Sequence, residues 1–302
     1  MNAQPQAEWG TRVALDFFLG GAGAGLLGVY LISRWLSGIE ELSVKIVLCG
    51  ALLVVAGLCL LLSELGRPAN ALRSMKNLKT SWMARGAVFN IGLVGSALLL
   101  LAADGAGLKV FTPFLAFATA CFAVLVAAYP GLLLFSSKDV WVWRSPLLPA
   151  LLFCSAGMSG VAVLALADID YCFQVGMTLY DLSLLGMILL ALLFAFFWGT
   201  RFLARDSGAK RQFRRIMTGK LQTFFLLGAV GAGLILPLAC IGLAWLMVEF
   251  AELLRVVAAS SYLVGAFALR YCVLKAAWHE PITILCRSQP QKSGSLSGSL
   301  TS

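Results

Sequence analysis

Eight long apolar runs divide this sequence, and each is long enough to cross a lipid bilayer. A spanning helix needs about 20 mostly apolar residues. The runs predict spans at Val13–Trp35, Val44–Ser63, Met83–Ala103, Phe111–Phe135, Leu147–Ala167, Asp181–Leu203, Thr223–Val248 and Val256–Ala277. Charged residues make up only 12% of the chain, which excludes a soluble enzyme, a disordered protein and a coiled coil. The expected fold is an all-α integral membrane protein with eight transmembrane helices, grouped as two four-helix bundles.

The connections between these runs are too short to form a soluble domain. Residues 1–286 are therefore expected to form a single membrane domain. The tail 287–302 is rich in Ser and Gly, a composition that predicts a disordered segment.

Positive charge is distributed unevenly between the two sides of the predicted membrane domain. Seventeen of the 23 Lys and Arg residues lie in the termini and loops on the side of the N-terminus, and four lie on the opposite side. Because positively charged loops stay in the cytoplasm, both termini and the disordered tail are expected to be cytoplasmic. This positive face has two interpretations, contact with anionic lipid and docking of an acidic partner protein.

Histidine and cysteine usage limits the redox chemistry of the chain. The sequence has one histidine, His279, so it cannot hold a haem between two histidines or a histidine-based binuclear metal site. None of its eight cysteines forms a C-x-x-C pair, although iron–sulfur and zinc sites need clustered thiolates. We therefore expect no metal, haem or iron–sulfur site in this chain.

The polar residues of the first four predicted spans concentrate near one interface. With the predicted topology, Asp16, Glu64, Arg67, Arg85 and Tyr129 are expected to share one depth on the cytoplasmic side. Such a cluster suits a lipid-soluble quinone, whose carbonyls need donors and whose reduction needs two protons. Asp16 and Glu64 are the candidate proton-transferring residues. The alternative interpretation is that these side chains cap helix ends or extend to the lipid headgroups.

Several segments along the chain carry a family resemblance. They are Phe17–Gly21, Glu64–Pro68, Ala71–Arg73, Thr80–Gly86, Tyr129–Leu134, Trp143–Pro149 and Arg270–Ala276. In this order they resemble the NrfD-like membrane anchors, which include the anchor subunits of polysulfide reductase and DMSO reductase. The predicted number of spans agrees with that family.

The resemblance implies a haem-free quinone- or quinol-reactive anchor of an oxidoreductase complex in the inner (cytoplasmic) membrane of a prokaryote. Its implied partners are a ferredoxin-like subunit carrying four [4Fe–4S] clusters and a molybdopterin catalytic subunit of anaerobic respiration. Electrons would pass between membrane quinone, menaquinone or ubiquinone, and the nearest cluster. The quinone site of the family lies among the first four helices, and its tyrosine corresponds to Tyr129. Asp16, Glu64, Arg67 and Arg85 are the other candidate quinone-binding residues.

Basic residues in two cytoplasmic loops are candidates for docking the iron–sulfur subunit. They are Arg67, Arg73, Lys76, Lys79, Arg211, Arg214 and Arg215. Other function classes remain open, namely an ion-coupled secondary transporter and a passive assembly anchor. A transporter is expected to carry charges near the membrane midplane, whereas the charges here are predicted near helix ends.

The sequence departs from the family pattern in three respects. DMSO reductase-type anchors carry a histidine where Glu64 stands, and Glu64 can still exchange protons but with a different ordinary pKa. Those anchors also carry a glutamate where this chain has Gly86. Many family members place their partner in the periplasm, whereas the charge distribution here predicts a cytoplasmic partner.

Overall fold

The computed structural model describes residues 11–64, 82–137, 140–168, 171–172, 175, 177–203, 217 and 221–275. This part of the chain is helical, with no strand, and eight of its helices are long and apolar enough to cross a membrane. The eight helices are α1 Thr11–Ser37, α2 Val44–Glu64, α3 Trp82–Gly105, α4 Thr112–Ser136, α5 Leu147–Ala167, α6 Met177–Phe202, α7 Leu221–Leu246 and α8 Ala251–Lys275. The predicted all-α fold with eight spans is confirmed. The grouping into two bundles and the cytoplasmic termini stay predictions.

Helix boundaries differ most from the prediction at the start of α8. This helix begins at Ala251 rather than at Val256, because it continues through Glu252 and Arg255 beyond the apolar run. Glu252 is exposed in the first turn, where a carboxylate interacts favourably with the helix dipole. An apolar run therefore marks the part of a helix inside the membrane and not its whole length.

The first helix is central to the packing of the others. It packs against α2, α4, α5 and α8. At its crossing with α5, a Cβ atom on Gly25 would overlap the carbonyl group of Ala156, and one on Gly160 would overlap the backbone of Gly25. Small residues permit this direct backbone contact, as they commonly do between membrane helices. Any larger side chain at this crossing would push α1 and α5 apart.

The two ends of the helical domain are here called the N-terminal face, where α1 begins, and the distal face, where α1 ends. At the distal face the Tyr171 hydroxyl lies 2.9 Å from Ser33 Oγ, and the Ser43 amide donates to the Tyr30 hydroxyl at 2.6 Å. Burial raises the pKa of Tyr171 to about 12, so its hydroxyl stays protonated at neutral pH. These contacts fix the end of α1 to the segment that follows α5 and to the residue that precedes α2.

At the N-terminal face, a buried indole connects the short 3-10 helix Trp141–Arg144 to the end of α8. The Trp143 ring nitrogen donates to the Val273 carbonyl at 3.1 Å. Trp143 also belongs to an apolar core that α1, α4, α5, α6, α7 and α8 share. The connection between α4 and α5 is thereby packed onto the last helix.

Candidate functional site

A buried carboxylate lies on α1, in the second turn of the helix. Asp16 is only 4% exposed, and its Oδ2 atom has no hydrogen-bond partner among the described residues. A buried carboxylate oxygen without a hydrogen-bond partner is costly inside a membrane protein and usually marks a functional position. Asp16 is therefore the starting point of the candidate site.

Two polar side chains from neighbouring helices accompany this carboxylate. The Tyr129 hydroxyl, on α4, interacts with the carboxylate of Asp16 and with the side-chain amide of Asn90. Asn90, on α3, also donates to the Gly86 carbonyl at 2.9 Å, which fixes its amide. The Phe17 ring packs edge-on against the Tyr129 ring at a centroid distance of 6.1 Å. The structure thus brings Asp16 and Tyr129 together, and their role in quinone binding stays a prediction.

Glycines on three helices shape the walls around these side chains. A Cβ atom on Gly57, in α2, would lie 3.0 Å from Asp16 Oδ1, and one on Gly20 would lie 4.0 Å from Asn90 Oδ1. On Gly86, in α3, a Cβ atom would come within 2.5 Å of the Tyr129 ring. All of the first four helices therefore contribute to one polar site, here called the Asp16 site.

A buried arginine of α8 lies beside Gly21 of α1, five positions farther along α1 than Asp16. Arg270 is 3% exposed, and its Nη1 atom donates to Ser155 Oγ at 3.1 Å and to the Ala266 carbonyl at 3.0 Å. The Tyr262 hydroxyl donates to the Ser155 carbonyl at 3.1 Å. A Cβ atom on Gly21 would lie 3.0 Å from Arg270 Nη2. Within the described residues all hydrogen-bond acceptors of Arg270 are neutral, so a positive charge is held inside the domain beside α1.

The remaining predicted site residues lie closer to the N-terminal face or outside the described residues. Glu64 is the last residue of α2, seven positions after Gly57. At 1.5 Å per residue this places Glu64 about 10 Å from the depth of Asp16, so the two do not share one level. Arg85 begins the second turn of α3, and its guanidinium lies 4.7 Å from the centre of the Trp82 ring. The predicted residues outside the described part are Arg67, Arg73, Lys76, Lys79, Arg211, Arg214 and Arg215.

Sequence reasoning did not place Asn90 or Arg270 among the candidate site residues. Asn90 interrupts an apolar run in α3, and Arg270 lies near the end of the last predicted span. In the structure Arg270 lies five residues inside the end of α8 and is buried. The rule that charges within spans are functional would have identified Arg270.

The fold and the site together define a polytopic membrane protein with an enclosed carboxylate–tyrosine pair. A family model described as polysulphide reductase, NrfD, matches residues 1–280. The chain therefore belongs to the NrfD family of membrane subunits of polysulphide reductase-type complexes, and the resemblance found in the sequence is confirmed. No curated protein matches the chain significantly.

One departure from the family pattern has a structural explanation here. A side chain at position 86 would overlap the Tyr129 ring, because even a Cβ atom would come within 2.5 Å of it. The glutamate of DMSO reductase-type anchors at this position is thus incompatible with the observed place of Tyr129. The observed position of the Tyr129 ring therefore requires a glycine at position 86.

Proposed function

We propose that this chain is the quinone-reactive membrane subunit of an iron–sulfur and molybdopterin oxidoreductase, and that quinone binds at the Asp16 site. The observation that carries the proposal is the buried carboxylate of Asp16, which lies beside Tyr129 and Asn90. Its Oδ2 atom lacks a hydrogen-bond partner among the described residues. A quinone carbonyl accepts hydrogen bonds and a quinol hydroxyl donates them. The site therefore needs both donors and an acceptor, and these three residues supply both.

The chemistry at this site moves protons as well as electrons. Reduction of a quinone takes up two electrons and two protons, and oxidation of the quinol releases them. Tyr129 and Asn90 hold and orient the oxygen atoms of the ring, since a phenol and an amide both donate hydrogen bonds. Asp16 takes up or supplies a proton at its free carboxylate oxygen, as a general acid and base would.

Protons reach the Asp16 site from the N-terminal face in this proposal. Glu64 ends α2 and Arg85 lies near the start of α3, so both belong to the layer between Asp16 and that face. Glu64 exchanges protons with the aqueous side, and Arg67 and Arg85 attract the polar head of the quinone. Menaquinone and ubiquinone both satisfy these requirements.

Electrons must be carried by other subunits in this proposal. Within the described residues no group of three or more His, Cys, Asp or Glu side chains could hold a metal ion. We propose that a ferredoxin-like iron–sulfur subunit docks on the N-terminal face through the basic loops, and that it connects to a molybdopterin subunit. The excess of Lys and Arg in those loops supports a cytoplasmic location of that face in a prokaryotic inner membrane.

The direct test replaces Asp16 by asparagine in the assembled complex. Asp16→Asn preserves the size of the side chain but removes its ionisation, so quinone-linked turnover should fall at least 100-fold. Electron transfer from the clusters of the partner to a soluble dye should survive, because that route bypasses the membrane site. The matched control is Asp104→Asn at the distal end of α3, which should leave both activities unchanged. Full quinone-linked turnover in Asp16→Asn would refute the assignment of Asp16.

The composition of the purified complex separates this proposal from the other function classes. A complex that co-purifies with iron in its partner subunits and with quinone supports the quinone-reactive subunit. Iron without quinone, and no competition by quinone analogues, would indicate a passive assembly anchor. A chain that purifies without either and accumulates a solute in vesicles would indicate a transporter.

A further inference from the structure

A cavity distinct from the Asp16 site lies among α5, α6, α7 and α8, toward the distal face. Its volume is about 250 Å³, slightly below the range typical of pockets for drug-sized ligands. Its lining is mostly aliphatic side chains and methionines, and polar atoms come from Ser183, Trp245, Arg255 and Tyr262. This cavity is here called the distal cleft.

The environment of the distal cleft determines what can fill it. Helices α6 and α7 pack only weakly on each other, and the cleft follows the gap between them. At this depth the surrounding medium is hydrocarbon without water. An empty apolar cavity loses the dispersion contacts of its walls, so a hydrocarbon chain from the bilayer is the favoured occupant. Met158 and Met187 line the cleft, and their flexible side chains can adapt to such a chain.

The distal end of the cleft carries a positive and a negative side chain. Arg255 lines the cleft, and Glu252 precedes it by three residues on α8, so the two are neighbours on the helix surface. The planar guanidinium of arginine suits phosphate oxygens, and a carboxylate suits an ammonium group. Trp245 lines the same end, and tryptophan is typical of the level of lipid headgroups.

From this geometry we propose that the distal cleft binds a zwitterionic phospholipid whose headgroup carries a primary ammonium, such as phosphatidylethanolamine. One acyl chain lies between α6 and α7, the phosphate lies at Arg255, and the ammonium lies at Glu252. This lipid site is separate from the Asp16 site and does not depend on the proposed quinone chemistry.

Photocrosslinking in nanodiscs tests the occupant of the cleft. The full chain is placed in phosphatidylglycerol nanodiscs with a low fraction of phosphatidylethanolamine whose acyl chain carries a diazirine. Labelling should concentrate on peptides that contain Met158 and Met187. Ala244 lines the cleft and is 7% exposed, whereas its neighbour Leu243 is 42% exposed. Ala244→Phe should therefore reduce labelling at least five-fold, and the matched control Leu243→Phe should not.

The headgroup assignment is tested with the same probe and a second set of variants. The diazirine lipid with a glycerol headgroup should label the cleft at least five-fold less than the ethanolamine probe. Arg255→Gln should weaken labelling by the ethanolamine probe, whereas Lys109→Gln, a control on the distal turn between α3 and α4, should not. Equal labelling by the two headgroups would overturn the assignment of the ammonium and phosphate contacts.

Two further results would overturn the lipid site itself. One is the absence of cleft labelling in wild-type protein that shows a cooperative thermal transition. The other is displacement of the probe by an isoprenoid quinone but not by excess unlabelled phosphatidylethanolamine, which would make a quinone tail the occupant. If Ala244→Phe fails to fold, Ala162→Leu fills the cleft from α5 with a smaller change in volume and should reduce labelling in the same way.

Discussion

A methyl group added at Gly86 is the smallest change that should disable the Asp16 site without removing any of its chemical groups. In Gly86→Ala the new Cβ atom would lie 2.5 Å from Tyr129 Cε2, 2.7 Å from Cδ2 and 3.1 Å from Cζ. Ordinary van der Waals contact begins at 3.4 Å. The Tyr129 ring must therefore withdraw by about 1 Å, and its hydroxyl moves relative to Asp16 and Asn90.

The expected loss of activity follows from the size of this displacement. A misplacement of about 1 Å at a reacting group can lower a rate by about 100-fold, so we expect quinone-linked turnover to fall by about 10- to 100-fold. The free energy of unfolding should fall by at most about 2 kcal/mol. Overpacking costs about 1–3 kcal/mol, and replacing glycine by alanine within a helix regains about 1 kcal/mol.

The assay compares three quantities in the assembled complex. These are turnover with a quinol analogue, electron transfer to a soluble dye, and the midpoint of thermal unfolding. The matched control is Gly95→Ala on the same helix, where a Cβ atom would have no neighbour within 4 Å. This control should keep full turnover and be as stable as wild type or slightly more stable. Wild-type quinone turnover in Gly86→Ala, with the complex assembled, would show that the place of the Tyr129 ring does not matter for activity.

Three other predictions concern topology, proton transfer and the buried arginine. A reporter active only in the periplasm should be inactive when fused after Ser302 and active within residues 168–181, and the reverse pattern would place the partner in the periplasm. Glu64→Gln should abolish quinone turnover but preserve dye reduction, and if turnover persists, Glu64 is a helix-end charge and Asp16 alone moves protons. Arg270→Met should alter the free energy of unfolding by less than about 2 kcal/mol, because it removes a costly buried charge together with its hydrogen bonds. Arg270→Ala should cost about 2–5 kcal/mol through lost packing, and an equal loss in both variants in detergent unfolding would contradict this reasoning.

The spans were predictable from the sequence because the bilayer imposes length and apolarity on every crossing helix. The predicted start of α5 at Leu147 agrees with the structure, since the apolar run begins where the helix does. The prediction was wrong by five residues at α8, where polar residues continue the helix beyond the apolar run. The hydrophobicity of a segment indicates whether lipid surrounds it, but a helix ends where its backbone hydrogen bonds end, which hydrophobicity does not indicate.

The candidate site was predictable only in part. Asp16 and Tyr129 could be brought together by topology, since both lie near helix ends on one side. The depth of Glu64 could not be obtained in this way, because it depends on which α2 residue packs against Asp16, and that residue is Gly57. The burial of Arg270 likewise depends on lateral contacts with Ser155 and Gly21, which the order of spans in the sequence does not determine.

The central place of α1 has a consequence for how the protein is made in the cell. In an apolar stretch of 18 residues of α1, 67% of the residues are buried, and the α1 backbone touches α5 directly at Gly25. Yet α1 is synthesised first, four helices before the partner that covers this surface. Until α5 and α8 have been inserted, the glycine surface of α1 that these helices cover faces lipid or the insertion machinery. Chains that end after α4 should therefore be recognised as unassembled and degraded. Insertion of the later helices is thus required for α1 to persist in the membrane.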